Sequence, residues 1–397
     1  MIEFKPFTQG MNLLAGDGAE ADGALRDASN VVVRTTGEVE TRPSLSPLML
    51  GDFLALHVEG DTLYTATAEA WFRVETDLSL TRLADIEGTR AAFAAVPGGV
   101  LLYTDAGYWL LTDGTVRRVD RPKLAPPALS AIDGGLLPGA YKVAVAAVAP
   151  DGSEGPLSWA SRIDLPNGGG IAVASAAVPL RVYLSHPDGG DLWRVAEATG
   201  TVALRTADYG QQAAALAEEA MPCGDYATVY QGRLWALLGT TLFFSQPYRY
   251  GVMDAYAGFL LLPGAGAGMV PLDGPLYVGT SAGMFLLTSA DTDKAELLHV
   301  HPAPVVPGSM LRVQGELLRG AVKEPPQKNV ACWFTGEGHL AGLPDGTVVP
   351  LSPGKLALLP GAGDSATVAL AGENYVATFL DAPAAYAAQC VFSKPVV

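Results

Sequence analysis

A chain interrupted by turn-forming residues about every ten positions cannot build long helices, and this constrains the fold more than any other feature. The sequence holds 46 glycines and 29 prolines. Between them lie apolar runs of roughly five to eight residues, the pattern of short strands in a sandwich, barrel or propeller. One stretch departs from this. Gln211 to Met221 (QQAAALAEEAM) is Ala-rich and free of breakers, and its propensity predicts a short helix.

Laid side by side, the apolar runs form a weak repeat of strand, tight turn and second, aromatic-rich strand. Its copies are Thr62-Leu-Tyr-Thr-Ala with Trp71-Phe-Arg-Val, and Val100-Leu-Leu-Tyr-Thr with Tyr108-Trp-Leu-Leu. Arg233-Leu-Trp-Ala-Leu with Thr241-Leu-Phe-Phe-Ser, Pro275-Leu-Tyr-Val-Gly with Met284-Phe-Leu-Leu, and Cys332-Trp-Phe-Thr with Leu340-Ala-Gly-Leu follow. Each hairpin exposes edges and apolar faces that radial stacking can hide, so the repeat predicts a β-propeller. Ring closure is expected between a strand around Asn30 to Arg34 and last strands at Tyr375-Val-Ala-Thr-Phe and Gln389-Cys-Val-Phe.

The repeat breaks between about Arg121 and Pro222. That interval opens on the stiff segment Pro122-Lys-Leu-Ala-Pro-Pro. Within it Tyr141, Val143, Val145 and Ala147 alternate with Lys142, Ala144 and Ala146, the period of a half-buried strand. Leu180-Arg-Val-Tyr-Leu-Ser and Leu192-Trp-Arg-Val-Ala read as further strands. The expected fold is therefore all-β: a propeller built from discontinuous N- and C-terminal parts, with an inserted fibronectin III-like β-sandwich. The expected boundaries are 1–121 for the first strand and blades, 122–220 for the insertion, and 221–397 for the remaining blades and closure.

Charge and breakers exclude some functions. With 41 acidic against 25 basic side chains the formal charge is −16, which argues against a phosphate-binding surface. Charged residues are only 17% of the chain and apolar ones 49%, so the chain is not disordered, and subunits that bury surface against copies are expected. The longest charge-free stretch of interest, Ala255 to Leu272, contains Pro263, Pro271 and four glycines, so no continuous helix there could satisfy its backbone in lipid. The opening MIEFKPFTQG lacks a basic region followed by an apolar one, so no secretory signal is expected. Cys223, Cys332 and Cys390 are odd in number and far apart, which predicts free thiols and a reducing compartment.

Several motifs invite a chemical reading. Gly279-Thr-Ser-Ala-Gly283 matches the form of a nucleophile elbow around Ser281, with Asp291, Asp293 and His299 following in hydrolase order. An elbow needs a helix after the serine, however, and Met284-Phe-Leu-Leu-Thr reads as a strand. His299 and His301 share a face if their strand is regular, but Pro302 ends it and no third ligand lies near. Asp291-Thr-Asp-Lys opens like a calcium loop without its glycine and distal glutamate. Gly354-Lys355 is followed by Leu356 rather than Ser or Thr, so there is no phosphate loop. No catalytic residue, cofactor or metal is expected.

Ser245 to Phe259 packs three tyrosines, Arg249 and Met253 behind a strand. These are residue types that protein interfaces over-use, and Tyr248, Arg249, Tyr250, Met253 and Tyr256 form the expected subunit or partner contact. The competing expectation is that these rings cap the propeller's own core.

The N-terminal block resembles a known family. Phe4-Lys-Pro-Phe-Thr-Gln-Gly-Met-Asn, Gly23-Ala-Leu-Arg-Asp-Ala-Ser-Asn-Val-Val-Val and Gly37-Glu-Val-Glu-Thr-Arg-Pro are similar to the opening of a group of tailed-bacteriophage virion proteins. Gly155-Pro-Leu-Ser, Val182-Tyr-Leu-Ser, Gly232-Arg-Leu-Trp-Ala, Leu242-Phe-Phe-Ser-Gln-Pro and the run from Trp333 to Gly346 extend the resemblance along the chain. The resemblance implies a structural tail protein of the short-tail nozzle or hub type, not an enzyme. It further implies assembly in the host cytoplasm into a ring of six copies that continues the DNA channel. Its partners would be the head-to-tail adaptor or portal-associated proteins and tail fibre or tail-tip proteins, with DNA passing without sequence-specific binding. An acidic channel wall fits that role, because a basic wall would hold phosphate. The alternatives are a ligand-binding or hydrolytic propeller centred on Ser281 or the 245–259 loop, and a cell-surface adhesin using Trp159, Trp193 and Tyr183 of the insertion.

Overall fold

In the computed structural model, residues 51–351 are described apart from 121–122, 150–151, 214–216, 292–293 and 319–327. The backbones of six further strands are also described: β1 (Gly10–Met11), β2 (Ala24–Leu25), β3 (Val31–Val33) and β4 (Val39–Thr41) at one end, and two at the other. β1 pairs with β2 in parallel, and β3 with β4 antiparallel.

Five antiparallel four-stranded sheets follow the same plan. The first is β5 (Ala55–Glu59), β6 (Thr62–Ala66), β7 (Ala70–Val74) and β8 (Leu80–Asp85); the second is β9 (Ala91–Val96), β10 (Gly99–Thr104), β11 (Gly107–Thr112) and β12 (Thr115–Arg118). Then comes a five-stranded insertion of β13 (Ala128–Leu136), β14 (Gly139–Ala147), β15 (Ser161–Leu165), β16 (Gly169–Ser185) and β17 (Leu192–Leu204). After the short β18 (Glu218–Ala220), the third sheet uses β19 (Tyr226–Tyr230), β20 (Arg233–Leu238) and β21 (Thr241–Phe244), passes through β22 (Val252–Asp254), and ends on β23 (Phe259–Leu261). The fourth is β24 (Gly266–Pro271), β25 (Leu276–Thr280), β26 (Gly283–Leu287) and β27 (Leu297–His301). The fifth is β28 (Leu311–Gln314), β29 (Asn329–Thr335), β30 (Gly338–Gly342) and β31 (Val348–Pro350). A hairpin of β32 (Ser365–Ala371) and β33 (Asn374–Leu380) comes last.

These sheets are the blades of a β-propeller. The first strand of each blade lies beside the first strand of the next, in the series β5, β9, β19, β24, β28 and β32. The middle strands show why the sequence does this. Along β10, Val100 and Leu102 join a core shared with the first blade, while Leu101 and Tyr103 join a core shared with the third. Along β20, Leu234 and Ala236 face the second blade and Trp235 and Leu237 the fourth. In β29, Ala331 and Trp333 face the fourth blade, and Val330, Cys332 and Phe334 face Ala366 of β32. A strand buried on both faces must be apolar at every position rather than at alternate ones. The five repeat copies read from the sequence are therefore the two central strands of the five blades.

The inserted strands fall where expected, between the second and third blades, and β9 meets β19 across the break. The two halves of β16 pair with different partners, residues 169–174 with β13 and residues 180–184 with β14, so the hydrogen-bonded sheet folds around one core. Tyr141, Val143, Val145, Ile171, Val173, Val182 and Leu204 meet there. The opposite face of β14 is covered too: Ala144 and Ala146 are buried with Leu157, Tyr183 and Leu192, because alanine leaves room for a crossing segment.

Two expectations are corrected. The described part of Gln211–Met221 is not helical. Gln212 bridges Trp193, and Glu218–Ala220 forms β18, paired with β22. Strand pairing at the two ends of the segment outweighs a helix propensity worth only tenths of a kcal/mol per residue. The N-terminal strand near Asn30 to Arg34 pairs as β3 with β4, and β33 pairs with β32, rather than β3 with β33. Gln389 to Phe392 lies outside the described residues. Among the described residues no helix is long and apolar enough to cross a membrane.

Candidate functional site

A cleft of about 470 Å³ lies where the insertion meets the second and third blades. It is lined from the insertion by Glu154, Leu157, Arg181 and Tyr183, and from the propeller by Arg117 and the segment 248–252. Glu218 of β18 closes its floor. The Glu218 side chain is 5% exposed and takes a fork from Arg249, with Nη1 2.5 Å from Oε1 and Nη2 3.2 Å from Oε2. The backbone N–H of Leu157 donates to the same carboxylate at 3.2 Å. On the facing wall the Arg181 guanidinium donates to Glu154 and, at 2.8 Å, to Glu197. The Tyr183 hydroxyl donates to Glu154 at 2.8 Å. Hydrogen bonding to Glu154, then to Glu197, holds Arg181 above its ordinary range, and burial raises the Tyr183 phenol. These charges are paired within the chain, so the cleft is an ion-paired joint between two β units.

The five residues expected to form a contact separate into three roles. Tyr248, at a positive φ of 59°, is 75% exposed at the rim of the cleft, and Tyr256 is 76% exposed. Arg249 is committed to Glu218. Tyr250 and Met253 are 9% and 5% exposed and belong to the core between the second and third blades. The core-capping expectation thus describes Tyr250 and Met253, while Tyr248 and Tyr256 face outward. Sequence reading missed Glu218, Glu154 and Arg181. The one signal for Glu218 was an acidic pair inside an apolar stretch.

Ser281 does not sit on an elbow. It occupies the β25–β26 turn, is exposed, and its Oγ accepts the Ala265 N–H at 3.0 Å. The residue the turn depends on is the neighbour, Thr280. Its buried Oγ1 donates to the Gly283 carbonyl at 2.9 Å and accepts the Ala282 N–H at 3.1 Å. Two other blades repeat this T-x-x-G turn. Ala106 N–H donates to Thr104 Oγ1 at 3.0 Å, and Glu337 N–H to Thr335 Oγ1 at 3.2 Å. Glycine closes the turn because Gly283 has φ +124°, and the His301 carbonyl lies 2.3 Å from where a Cβ would stand. The apparent elbow is a blade turn. Thr280→Val is expected to cost about 1–3 kcal/mol in urea unfolding, because it strands a buried donor and acceptor. Ser281→Ala, at an exposed hydroxyl, is expected to stay within about 0.5 kcal/mol.

The remaining candidates are dispersed. A bulge between Met284 and Phe285 in the β26–β27 register breaks the alternation that would align His299 with His301. His299 stacks on Phe285 at 4.8 Å, and His301 Nδ1 accepts the Ala303 N–H at 3.2 Å. Asp291 pairs with Lys294 at 3.0 Å. Among the described residues no group of three His, Cys, Asp or Glu is arranged to hold a metal ion. Gly354-Lys355 and Asp293 lie outside those residues. Cys223 and Cys332 are free thiols, pushed by burial up to about 11 and about 12. Of the insertion's aromatics, Tyr183 is buried in the junction wall, and Trp193 makes an edge contact with His186 at 5.9 Å. Trp159 is 46% exposed beneath the Lys123 ammonium, 3.7 Å from its ring centre.

No known protein family's sequence profile matches the chain, and no curated protein sequence does. Solved structures resemble it at low identity. Apo AztD from Citrobacter koseri is 12% identical over 82% of this chain and 79% of that one, with a TM-score of 0.36. The N-terminal domain of Nup159 is 10% identical over 86% and 78%, with a TM-score of 0.32. Kluyveromyces lactis Hsv2 is 8% identical over 83% and 90%, with a TM-score of 0.29.

Proposed function

We propose that this chain is a structural protein of a bacteriophage tail, of the nozzle or hub type. Copies close into a ring that continues the DNA channel and joins the head-to-tail adaptor to other tail proteins. Residues 1–121 and 221–397 build the ring, and residues 122–220 are carried on it. The observation that carries the reading is the run of motifs from Phe4 to Pro43, with its continuation to Gly346. The formal charge of −16 supports it, since a passive conduit for DNA must not retain phosphate. The exposed Tyr248 and Tyr256 beside an ion-paired joint suit a contact surface between subunits.

Gold-labelled antibody against the chain, applied to intact phage particles from its source and viewed by electron microscopy, is expected to mark the tail alone. Unlabelled particles with free protein in the lysate would overturn the assignment. In sedimentation equilibrium at micromolar concentration the purified chain is expected to show a ring-sized oligomer. A monomer at every concentration would remove the ring.

A further inference from the structure

The insertion is tied to the propeller by two chain segments, and the contacts between them are unusual. Apolar clusters hold the blades to one another and the inserted strands to one another. Among the described residues none joins an inserted strand to a blade. A polar interface without a shared core leaves two units free to move unless specific contacts hold them. Among the described residues, two of those contacts lie on adjacent residues of β18, Glu218 and Glu219.

β18 is fastened to the propeller by its pairing with β22 and by the Met221 N–H to the Gly251 carbonyl at 3.0 Å. Upstream, the same segment is fastened to the insertion: Ala213 N–H donates to the Leu192 carbonyl at 2.8 Å, and Arg194 N–H to the Gln211 carbonyl at 2.9 Å. From Ala217 on, whose carbonyl accepts the Ala255 N–H at 2.7 Å, the partner is the propeller. There the two glutamates, pointing to opposite sides of a strand, reach across in two directions. Glu218 joins Arg249 of the propeller to the Leu157 N–H of the insertion. Glu219 accepts from the Lys123 ammonium at 2.7 Å, and Lys123 lies over the Trp159 ring of the insertion. Lys123 itself belongs to the incoming segment, which is anchored to the insertion farther on by Ser161 Oγ donating to the Pro127 carbonyl at 2.6 Å.

We propose that Glu218 and Glu219 form a clasp that fixes the inserted sheet against the propeller, and that opening the clasp releases the sheet from that contact. The pairs differ in kind. Glu218–Arg249 is forked, with Glu218 buried and Arg249 one-third exposed, so removing Arg249 would strand a buried carboxylate. Glu219–Lys123 is partly exposed and is the pair that salt screens.

The test is amide hydrogen exchange on the full chain, comparing the wild type with Glu218→Gln/Glu219→Gln and with Lys123→Met. In the double variant, peptides spanning residues 155–159, which carry the Leu157 N–H that donates to Glu218, are expected to exchange at least tenfold faster. Peptides from β14, β16, β25 and β29 should keep their rates. Lys123→Met is expected to give about a threefold effect at the same junction peptides, and it leaves the buried fork intact should the double variant fail to fold. Junction peptides unchanged in Lys123→Met, or blade peptides accelerated along with them, would overturn the clasp, because the contacts would then be incidental or simply part of global stability.

Discussion

Lowering the pH from 7 to 5 is expected to cost this protein about 2 kcal/mol of folding stability through one side chain, His339. His339 sits in β30, buried and stacked on Phe334 with ring centres 4.4 Å apart. Burial disfavours the imidazolium and pushes the group from 6.5 down to about 3. The folded state therefore refuses a proton that the unfolded chain accepts. The contribution is complete above pH 6.5 and is lost progressively as the pH falls from there toward 3, at about 1.4 kcal/mol per unit. Carboxylates held low by hydrogen bonds act in a different window. Asp105, lowered to about 2 chiefly by the Thr89 hydroxyl, begins to matter only below about pH 4. Urea unfolding at pH 7, 6 and 5 should show a slope in the wild type and a nearly flat profile in His339→Leu. An equal slope in both proteins would assign the acid sensitivity elsewhere.

Gly251→Ala is expected to be the most damaging single-methyl change, at about 3 kcal/mol or more. The position follows Tyr250, where the 245–252 segment crosses the end of the second blade. The Val119 carbonyl oxygen lies 1.7 Å from where a Cβ would stand, and its carbon 2.5 Å away. Both are backbone atoms, so relief requires separating the second and third blades or breaking the Met221 N–H bond to the Gly251 carbonyl. Gly336→Ala is the control. It sits in a β29–β30 turn with nothing within 4 Å of the added carbon, and should change stability by about 0.5 kcal/mol or less. Matched denaturant midpoints for the two variants would mean that the close approach at Gly251 carries no energetic weight.

The central strands were legible in the sequence because burial on both faces leaves an unmistakable mark. Val100-Leu-Leu-Tyr, Leu234-Trp-Ala-Leu and Cys332-Trp-Phe are apolar without alternation, since every position must fit a core on one side or the other. The first and last strands of each blade were harder to read. β8, with Arg82 and Asp85, and β12, with Arg117 and Arg118, carry charge on an outer edge, and a short half-exposed run is hard to tell from a loop. The insertion was visible as a break in the repeat and as the alternation at Tyr141, Val143 and Val145. The cover over Ala144 and Ala146 left no trace, because alanine suits either face.

Gly279-Thr-Ser-Ala-Gly283 has the form of a nucleophile site because small residues and a serine are what an elbow and a blade turn both need. The strand predicted behind it argued against an elbow, and β26 with the N–H bonds accepted by Thr104 and Thr335 shows the turn. Gln211 to Met221 has a helical composition, yet long-range strand pairing overrides it. Composition and period thus determined the all-β class, the blade repeat and the place of the insertion, since these depend on which residues must leave water. Tertiary structure alone decided that Glu218 meets Arg249 thirty-one positions away, that Tyr250 is core while Tyr248 is surface, and that the joint between the units is ionic rather than apolar. Those outcomes depend on which distant segments arrive together, and a local pattern holds no record of its distant partners.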